Sequence, residues 1–145
     1  MGVYRCRYAA SSERGMLREA FDPDRYIAAE SLQSWVVTLA VTGSALDLRT
    51  DDTLDAFGLD DQISTSRDPR VWQAAQRLGD LHWARHHDRD RVPGIVYRSR
   101  TTPQHNANLA WFAATPATVT SAVRLADRLD LLEAAITADG FTIEL

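Results

Sequence analysis

The sequence is poor in several features, and each scarcity excludes a class of protein. A single cysteine, Cys6, rules out an internal disulfide and favours a reducing compartment. The apolar runs fall well short of the roughly 20 residues that a membrane-spanning helix needs. The N-terminus, MGVYRCRYAA, lacks the apolar core of a secretory signal. We therefore expect a cytoplasmic protein that does not associate with membranes.

The sequence also contains few glycines and carries no excess of positive charge. The seven glycines are scattered singly, so the sequence contains neither a dinucleotide-binding GxGxxG motif nor a P-loop. If the protein binds a nucleotide, it must do so through another geometry. The formal net charge is −4, so we expect no broad electrostatic surface for nucleic acid and no direct nucleic-acid binding. Local basic pockets are compatible with that total.

The remaining composition is that of a globular protein. Hydrophobic residues make up 45% of the 145 residues and charged residues 25%, in a length that suits one domain over residues 1–145. The predicted strands are VYRCRYAA, SWVVTLAV, SALDLRT, GIVYRS, NLAWFA, SAVRLA and FTIEL, and the predicted helices are SERGMLREAF, DDTLDAFG, Pro69 to about His86, and LDLLEAAITADG. Because strands and helices are interspersed, the predicted fold class is α+β, as a single mixed domain.

Residues that favour helix ends and turns set the predicted boundaries. Ser11 or Ser12 is expected to cap the first helix, and Thr50 or Asp51 the second. Gly58 and Gly140 follow predicted helices, where glycine commonly ends a helix. Thr42-Gly43 predicts a tight turn that leads into the strand SALDLRT.

Three residues raise the question of metal or thiol chemistry. His82 and His86 stand four residues apart on the long predicted helix, a spacing that can hold zinc. No third ligand is evident, and a solvated helix end is the alternative, so we predict no metal site. Cys6 is either a nucleophile or a buried, inert thiol, and we expect the inert thiol.

The stretch GIVYRSRTTPQHNANLAWF, Gly94 to Phe112, is the most unusual in the chain. It predicts a hairpin, but polar side chains crowd one of its edges: Arg98, Ser99, Arg100, Asn106 and Asn108. A second polar residue, Glu19, lies beside the apolar stripe of the first predicted helix. Considered separately, these residues are compatible with a solvated strand end and a solvated helix face.

Taken together, two segments resemble the RES domain family. RYAASSERGMLREAF is similar to the family's Y-l-A-S-S-x-x-x-A-L-x-E segment, and the hairpin is similar to its G-I-x-Y-x-S-R … N-L-A-L-F segment. The resemblance runs from about Tyr4 to Phe112. It implies a fold like that of ADP-ribosyltransferases and an enzyme that degrades NAD by phosphorolysis or hydrolysis. It also implies a growth-inhibiting toxin of a type II toxin–antitoxin pair, whose antitoxin carries an Xre-like DNA-binding domain.

The resemblance assigns roles to four residues. Glu19 and Ser99 correspond to the family's catalytic glutamate and serine, Tyr8 lies in the pocket, and Asn108 supports it. The family's arginine normally stands a few tens of residues before the tyrosine, whereas Tyr8 has only seven residues ahead of it. We therefore expect a member shortened at the N-terminus.

Physical reasoning adds candidates for the remaining contacts with NAD. Its pyrophosphate needs planar cationic donors, and the candidates are Arg7, Arg98 and Arg100. Cleavage of the glycosidic bond develops positive charge on the ribose, which a carboxylate such as Glu19 stabilises. NAD is thus expected as a substrate, with inorganic phosphate as a candidate second substrate, and no cofactor is expected.

The sequence is compatible with two alternatives. In one, a protein side chain accepts the ribose, which makes the chain a protein ADP-ribosyltransferase. In the other, the chain is a catalytically impaired RES-like module that only binds a partner. Self-association to a homo-oligomer is also left open. Apolar residues of the last helix form either a partner surface or part of the core: Leu129, Leu131, Leu132, Ala135 and Ile136.

Overall fold

A computed structural model describes residues 6–86, 94–102, 104–112 and 117–145, and they form the predicted α+β fold. In chain order the elements are β1 (Cys6–Ala10), α1 (Glu13–Phe21), β2 (Tyr26–Ile27), a 3-10 turn (Ala29–Gln33), β3 (Trp35–Val41), β4 (Ala45–Asp47), α2 (Asp51–Phe57), α3 (Gln62–Thr65), α4 (Pro69–His86), β5 (Gly94–Arg98), β6 (Ala107–Phe112), β7 (Ala117–Arg124), a second 3-10 turn (Leu125–Asp127), α5 (Leu129–Asp139) and β8 (Thr142–Ile143). Residues 3–5 of the first predicted strand lie outside the described ranges.

A four-stranded sheet in the order β1-β6-β5-β4 carries the two motif segments. Strand β6 lies in its middle, antiparallel to both β1 and β5, so the predicted hairpin of β5 and β6 is confirmed. Strand β4 completes the sheet in parallel with β5. Because β1 precedes α1 directly, this pairing brings the start of α1 next to the hairpin.

Strands β3 and β7 form a separate antiparallel ribbon, from Trp35 opposite Arg124 to Val41 opposite Ala117. The turn signal at Thr42-Gly43 does lead into a strand, but β4 joins the four-stranded sheet and does not pair with β3. The ribbon is largely exposed, with 58% of the surface of Trp35 accessible. Short strands β2 and β8 pair in parallel as a third sheet.

Two apolar clusters hold these elements together. The larger one packs α1 against α5 and includes Leu17, Ile27, Val36, Leu125, Leu131, Leu132, Ala135 and Phe141. The smaller one joins Leu48, Leu54 and Ile95. Within α5, three residues of the proposed partner surface are therefore core residues, whereas Leu129 and Ile136 are exposed. For those three residues the core alternative is correct.

The predicted ends of the helices are largely confirmed. Ser12 caps α1 and Thr50 caps α2, while Gly58 and Gly140 end α2 and α5 in the left-handed conformation. Helix α3, strand β2 and the two 3-10 turns were not predicted, because each is too short to show a periodicity in the sequence. None of the helices in the described ranges combines the length and apolarity required to cross a bilayer.

Candidate active site

A cavity of about 680 Å³ lies between the four-stranded sheet and helices α1, α3 and α4. This volume falls in the range of small-molecule sites. Its polar lining residues include Cys6, Tyr8, Glu19, Ser64, Gln76, Tyr97, Arg100 and Asn108, and its apolar ones include Leu48, Ile63, Trp72, Leu78, Ile95 and Phe112. The motif segments therefore meet at one wall, and the long helix α4 supplies another.

The N-terminus of α1 is fixed to the hairpin by one buried amide. Asn106 Oδ1 accepts hydrogen bonds from Ser11 Oγ at 3.0 Å, Ser12 N at 3.1 Å and Ser12 Oγ at 3.0 Å. Ser12 Oγ also caps the helix by accepting from Gly15 N. Gly15 packs directly on the amide, since a Cβ built there would lie 2.2 Å from Asn106 Cγ. This anchoring sets where α1 places Glu19.

Glu19 is held by the serine that the motif predicts. Ser99 Oγ donates to Glu19 Oε1 at 2.6 Å, and Thr101 Oγ1 donates to the same oxygen at 3.3 Å. Ser99 is fully buried, and its Oγ accepts from the backbone N–H groups of Thr101 and Thr102 at 3.1 and 3.0 Å. Ser99 is therefore not a solvated strand end. Its geometry is that of a positioning residue, which orients the carboxylate.

Ser99→Ala is expected to lower the stability of the fold. The substitution removes the acceptor of two partly buried backbone N–H groups, those of Thr101 and Thr102, a loss that costs about 1–3 kcal/mol. The exposed Ser121→Ala on β7 is the matched control and should leave unfolding unchanged. Chemical denaturation measures the free energy of unfolding of both variants. A Ser99→Ala protein as stable as the control would contradict this assignment.

Two tyrosines and an asparagine surround the carboxylate. Burial raises the pKa of Tyr97 to about 12, with added effects from Tyr8 and Glu19, while a hydrogen bond with Asn108 opposes the rise. The Tyr97 hydroxyl thus stays protonated at neutral pH. Asn108 is buried and accepts from Asn106 Nδ2 at 3.1 Å. Tyr8 is 69% exposed, which leaves its ring accessible for stacking.

The structure separates the three arginines predicted to bind pyrophosphate. Arg100 lines the cavity and has no carboxylate partner within the described ranges. Arg98 does not line it: its guanidinium donates to Asp61 Oδ2 and to the backbone oxygen of Arg49, both at 2.7 Å. Arg7 is exposed and is also absent from the lining, since it alternates with Tyr8 along β1. The structure therefore brings only Arg100 of these three to the cavity.

The thiol and the histidines have no evident chemical role. Burial raises the pKa of the Cys6 thiol, which keeps it protonated although it lines the cavity. The rings of His82 and His86 lie 4.8 Å apart, and burial lowers the pKa of His82, with a further contribution from the charge of His86. In the described part of the chain, no group of three His, Cys, Asp or Glu side chains is placed to hold a metal.

Tyr97 and Trp72 are aromatic residues of the cavity lining that the sequence analysis did not assign to the site. Tyr97 stands opposite Asn108 in the register of β5 and β6, and strand alternation from Ile95 was the signal that could have revealed it. Trp72 lines the cavity from the first turn of α4 and lies outside both motif segments. Nothing local in the sequence distinguishes Trp72 from an ordinary helix residue.

The fold and the site define a class: a small α+β domain whose described residues form a nucleotide-sized cavity with an oriented carboxylate, in a sequence without a P-loop motif. The RES domain model matches residues 2–132, so the chain belongs to the RES domain family and the resemblance is confirmed. At the level of the family it is an NAD-acting module of toxin–antitoxin type. No curated protein and no solved structure matches the sequence. The likeness to ADP-ribosyltransferases stays a prediction.

Proposed function

We propose that this chain cleaves the nicotinamide–ribose bond of NAD and acts as a growth-inhibiting toxin. The observation that carries the proposal is the Glu19 carboxylate, fixed by Ser99 at 2.6 Å in the wall of a nucleotide-sized cavity. The bond between the nicotinamide nitrogen and the ribose carbon breaks, and nicotinamide leaves with the bonding electrons as a neutral molecule. An oxygen of phosphate or water forms the new bond to carbon. Water releases its proton to solvent.

The geometry of Glu19 suits the transition state of this reaction. Positive charge develops on the ribose as nicotinamide leaves, and a preorganised carboxylate stabilises that charge. One oxygen, Oε1, is held by Ser99 and Thr101. The other oxygen has no donor within the described ranges and is available to a ribose hydroxyl. The hydroxyls around Oε1 thus orient the group without occupying its second oxygen.

The other cavity residues fit the remaining parts of NAD. The exposed ring of Tyr8 offers a stacking surface for nicotinamide. Tyr97 keeps its proton and can donate a hydrogen bond near the reacting ribose. Arg100 supplies a guanidinium for the pyrophosphate, a task that planar cationic donors perform well. Arg100 therefore takes the cationic role for which Arg7 and Arg98 were also candidates.

Release of nicotinamide from NAD tests the proposal. The purified chain should release nicotinamide well above a heat-denatured control, as measured by chromatography. Faster release with inorganic phosphate, together with a phosphorylated ADP-ribose product, would identify a phosphorylase, and an unchanged rate would identify a hydrolase. Transfer of label from NAD to a protein would favour the ADP-ribosyltransferase alternative. Absence of release under all of these conditions would contradict the proposal.

Family membership also supports a proposal about partners. We propose that an antitoxin with an Xre-like DNA-binding domain neutralises this chain, as the toxin–antitoxin character of the family implies. A cytoplasmic location follows from that pairing. Self-association stays a prediction, and sedimentation of the purified chain measures it.

A further inference from the structure

We propose that one end of the cavity is a subsite for the adenine base of NAD, formed by Trp72 and Gln76 next to Arg100. The inference rests on the proposed function, because it assigns the half of NAD that does not react. All three residues line the cavity. Two of them belong to α4, which carries neither motif segment.

Helix α4 presents a planar ring beside open space. Trp72 is 44% exposed, and its Nε1 donates to the backbone oxygen of Ser66 at 2.8 Å, which fixes the orientation of the indole. Ala75, Gln76 and Gly79 line the cavity from the same helix face. Their spacing places two small residues beside the indole, so a flat group can approach the ring.

The chemistry of this wall fits a purine. Aromatic rings bind nucleobases by stacking, and a side-chain amide pairs its donor and acceptor with the N6 and N7 atoms of adenine. Gln76 stands one helical turn after Trp72, and its amide bonds to no other residue in the described ranges. The Arg100 guanidinium lies 5.3 Å from the centroid of the Trp72 ring.

The order of residues along the cavity matches the order of groups in NAD. Glu19, proposed to contact the reacting ribose, is bonded to Ser99. Arg100 follows Ser99 in the chain and extends over Trp72. A ligand running from Glu19 past Arg100 to Trp72 would present the reacting ribose, the pyrophosphate, the adenosine ribose and adenine in turn. This is the sequence of groups in a dinucleotide, and a mononucleotide would end at Arg100.

A second tryptophan provides a matched control. Trp35 is also exposed, and the Arg124 guanidinium lies 5.6 Å from its ring centroid, but neither residue lines the cavity. The experiment measures kcat and KM of the wild type, Trp72→Leu and Trp35→Leu with NAD and with nicotinamide mononucleotide. The mononucleotide keeps the reacting ribose and lacks adenine.

Trp72→Leu should raise KM for NAD about tenfold and leave KM for the mononucleotide within about twofold. Trp35→Leu should change neither constant. Equal loss with both substrates, or no loss with NAD, would overturn the subsite. If Trp72→Leu fails to fold by circular dichroism, the exposed Gln76→Ala takes its place with the same expected selectivity for NAD.

A binding measurement tests the adenine subsite even if the proposed NAD cleavage is wrong. If the wild type cleaves neither substrate, calorimetric titration of ADP decides the subsite without any reaction. The adenine subsite would be supported if Trp72→Leu, or Gln76→Ala in its place, weakens ADP binding about tenfold. Trp35→Leu should leave ADP binding unchanged. Absence of ADP binding to the wild type, or equal binding to all variants, would overturn it.

Discussion

Glu19→Gln is expected to lower turnover of NAD by about 10²-fold or more, with a smaller change in KM. The loss follows because a neutral amide cannot stabilise positive charge on the ribose, and removal of one preorganised group commonly costs this much. The fold should survive, since the amide oxygen of glutamine can still accept from Ser99. Steady-state kinetics and thermal unfolding of the same preparation measure the two quantities.

An exposed carboxylate on another helix serves as the control for this substitution. Glu133 lies on the exposed face of α5 and does not line the cavity. Glu133→Gln should leave kcat and KM unchanged. A Glu19→Gln enzyme with the turnover of this control would show that the carboxylate has no part in the chemistry.

The second large effect is expected from Gly15→Ala, which should destabilise the fold by about 2 kcal/mol and impair activity. In a helix interior, alanine is normally favoured over glycine by about 1 kcal/mol. Here the added Cβ would lie 2.2 Å from Asn106 Cγ and 2.3 Å from its Oδ1. Overpacking of this kind typically costs 1–3 kcal/mol, and displacing Asn106 also breaks its bonds to Ser11 and Ser12.

Gly58→Ala separates steric from backbone effects. A Cβ at Gly58 meets no atom within 4 Å, but its φ of +64° is unfavourable for alanine and costs about 1 kcal/mol. This variant should therefore lose some stability and keep its activity. Urea unfolding measures the stability of Gly15→Ala and Gly58→Ala, and nicotinamide release measures their activity. A Gly15→Ala chain that is more stable than the wild type would contradict the packing described for Asn106.

Local signals in the sequence account for most of the elements. The cap at Ser12, proline at the start of α4 and left-handed glycine at Gly58 each act through neighbouring residues, so the sequence alone predicts them. Strand partners depend on distant parts of the chain. The separation of β3 from β4 therefore could not be foreseen, since their connecting turn is compatible with either arrangement.

In the candidate site, too, local sequence signals predict some features and long-range packing determines the others. The family motifs indicated Glu19 and Ser99, but their contact joins residues 80 positions apart and follows from packing of α1 on the hairpin. The roles of Arg98 and Arg100 could not be distinguished by strand alternation, because β5 ends at Arg98 and Arg100 lies beyond it. Trp72 reaches the cavity only through the position of α4, which no local pattern encodes.

In the proposed function, the cavity binds NAD with its reacting ribose at Glu19. A crystal structure of the Glu19→Gln variant with saturating NAD tests it most directly, because slow turnover should preserve the substrate. We expect the ribose within hydrogen-bond distance of residue 19 and the pyrophosphate within hydrogen-bond distance of Arg100. NAD bound elsewhere on the chain, or bound in the cavity with its ribose far from residue 19, would contradict the account.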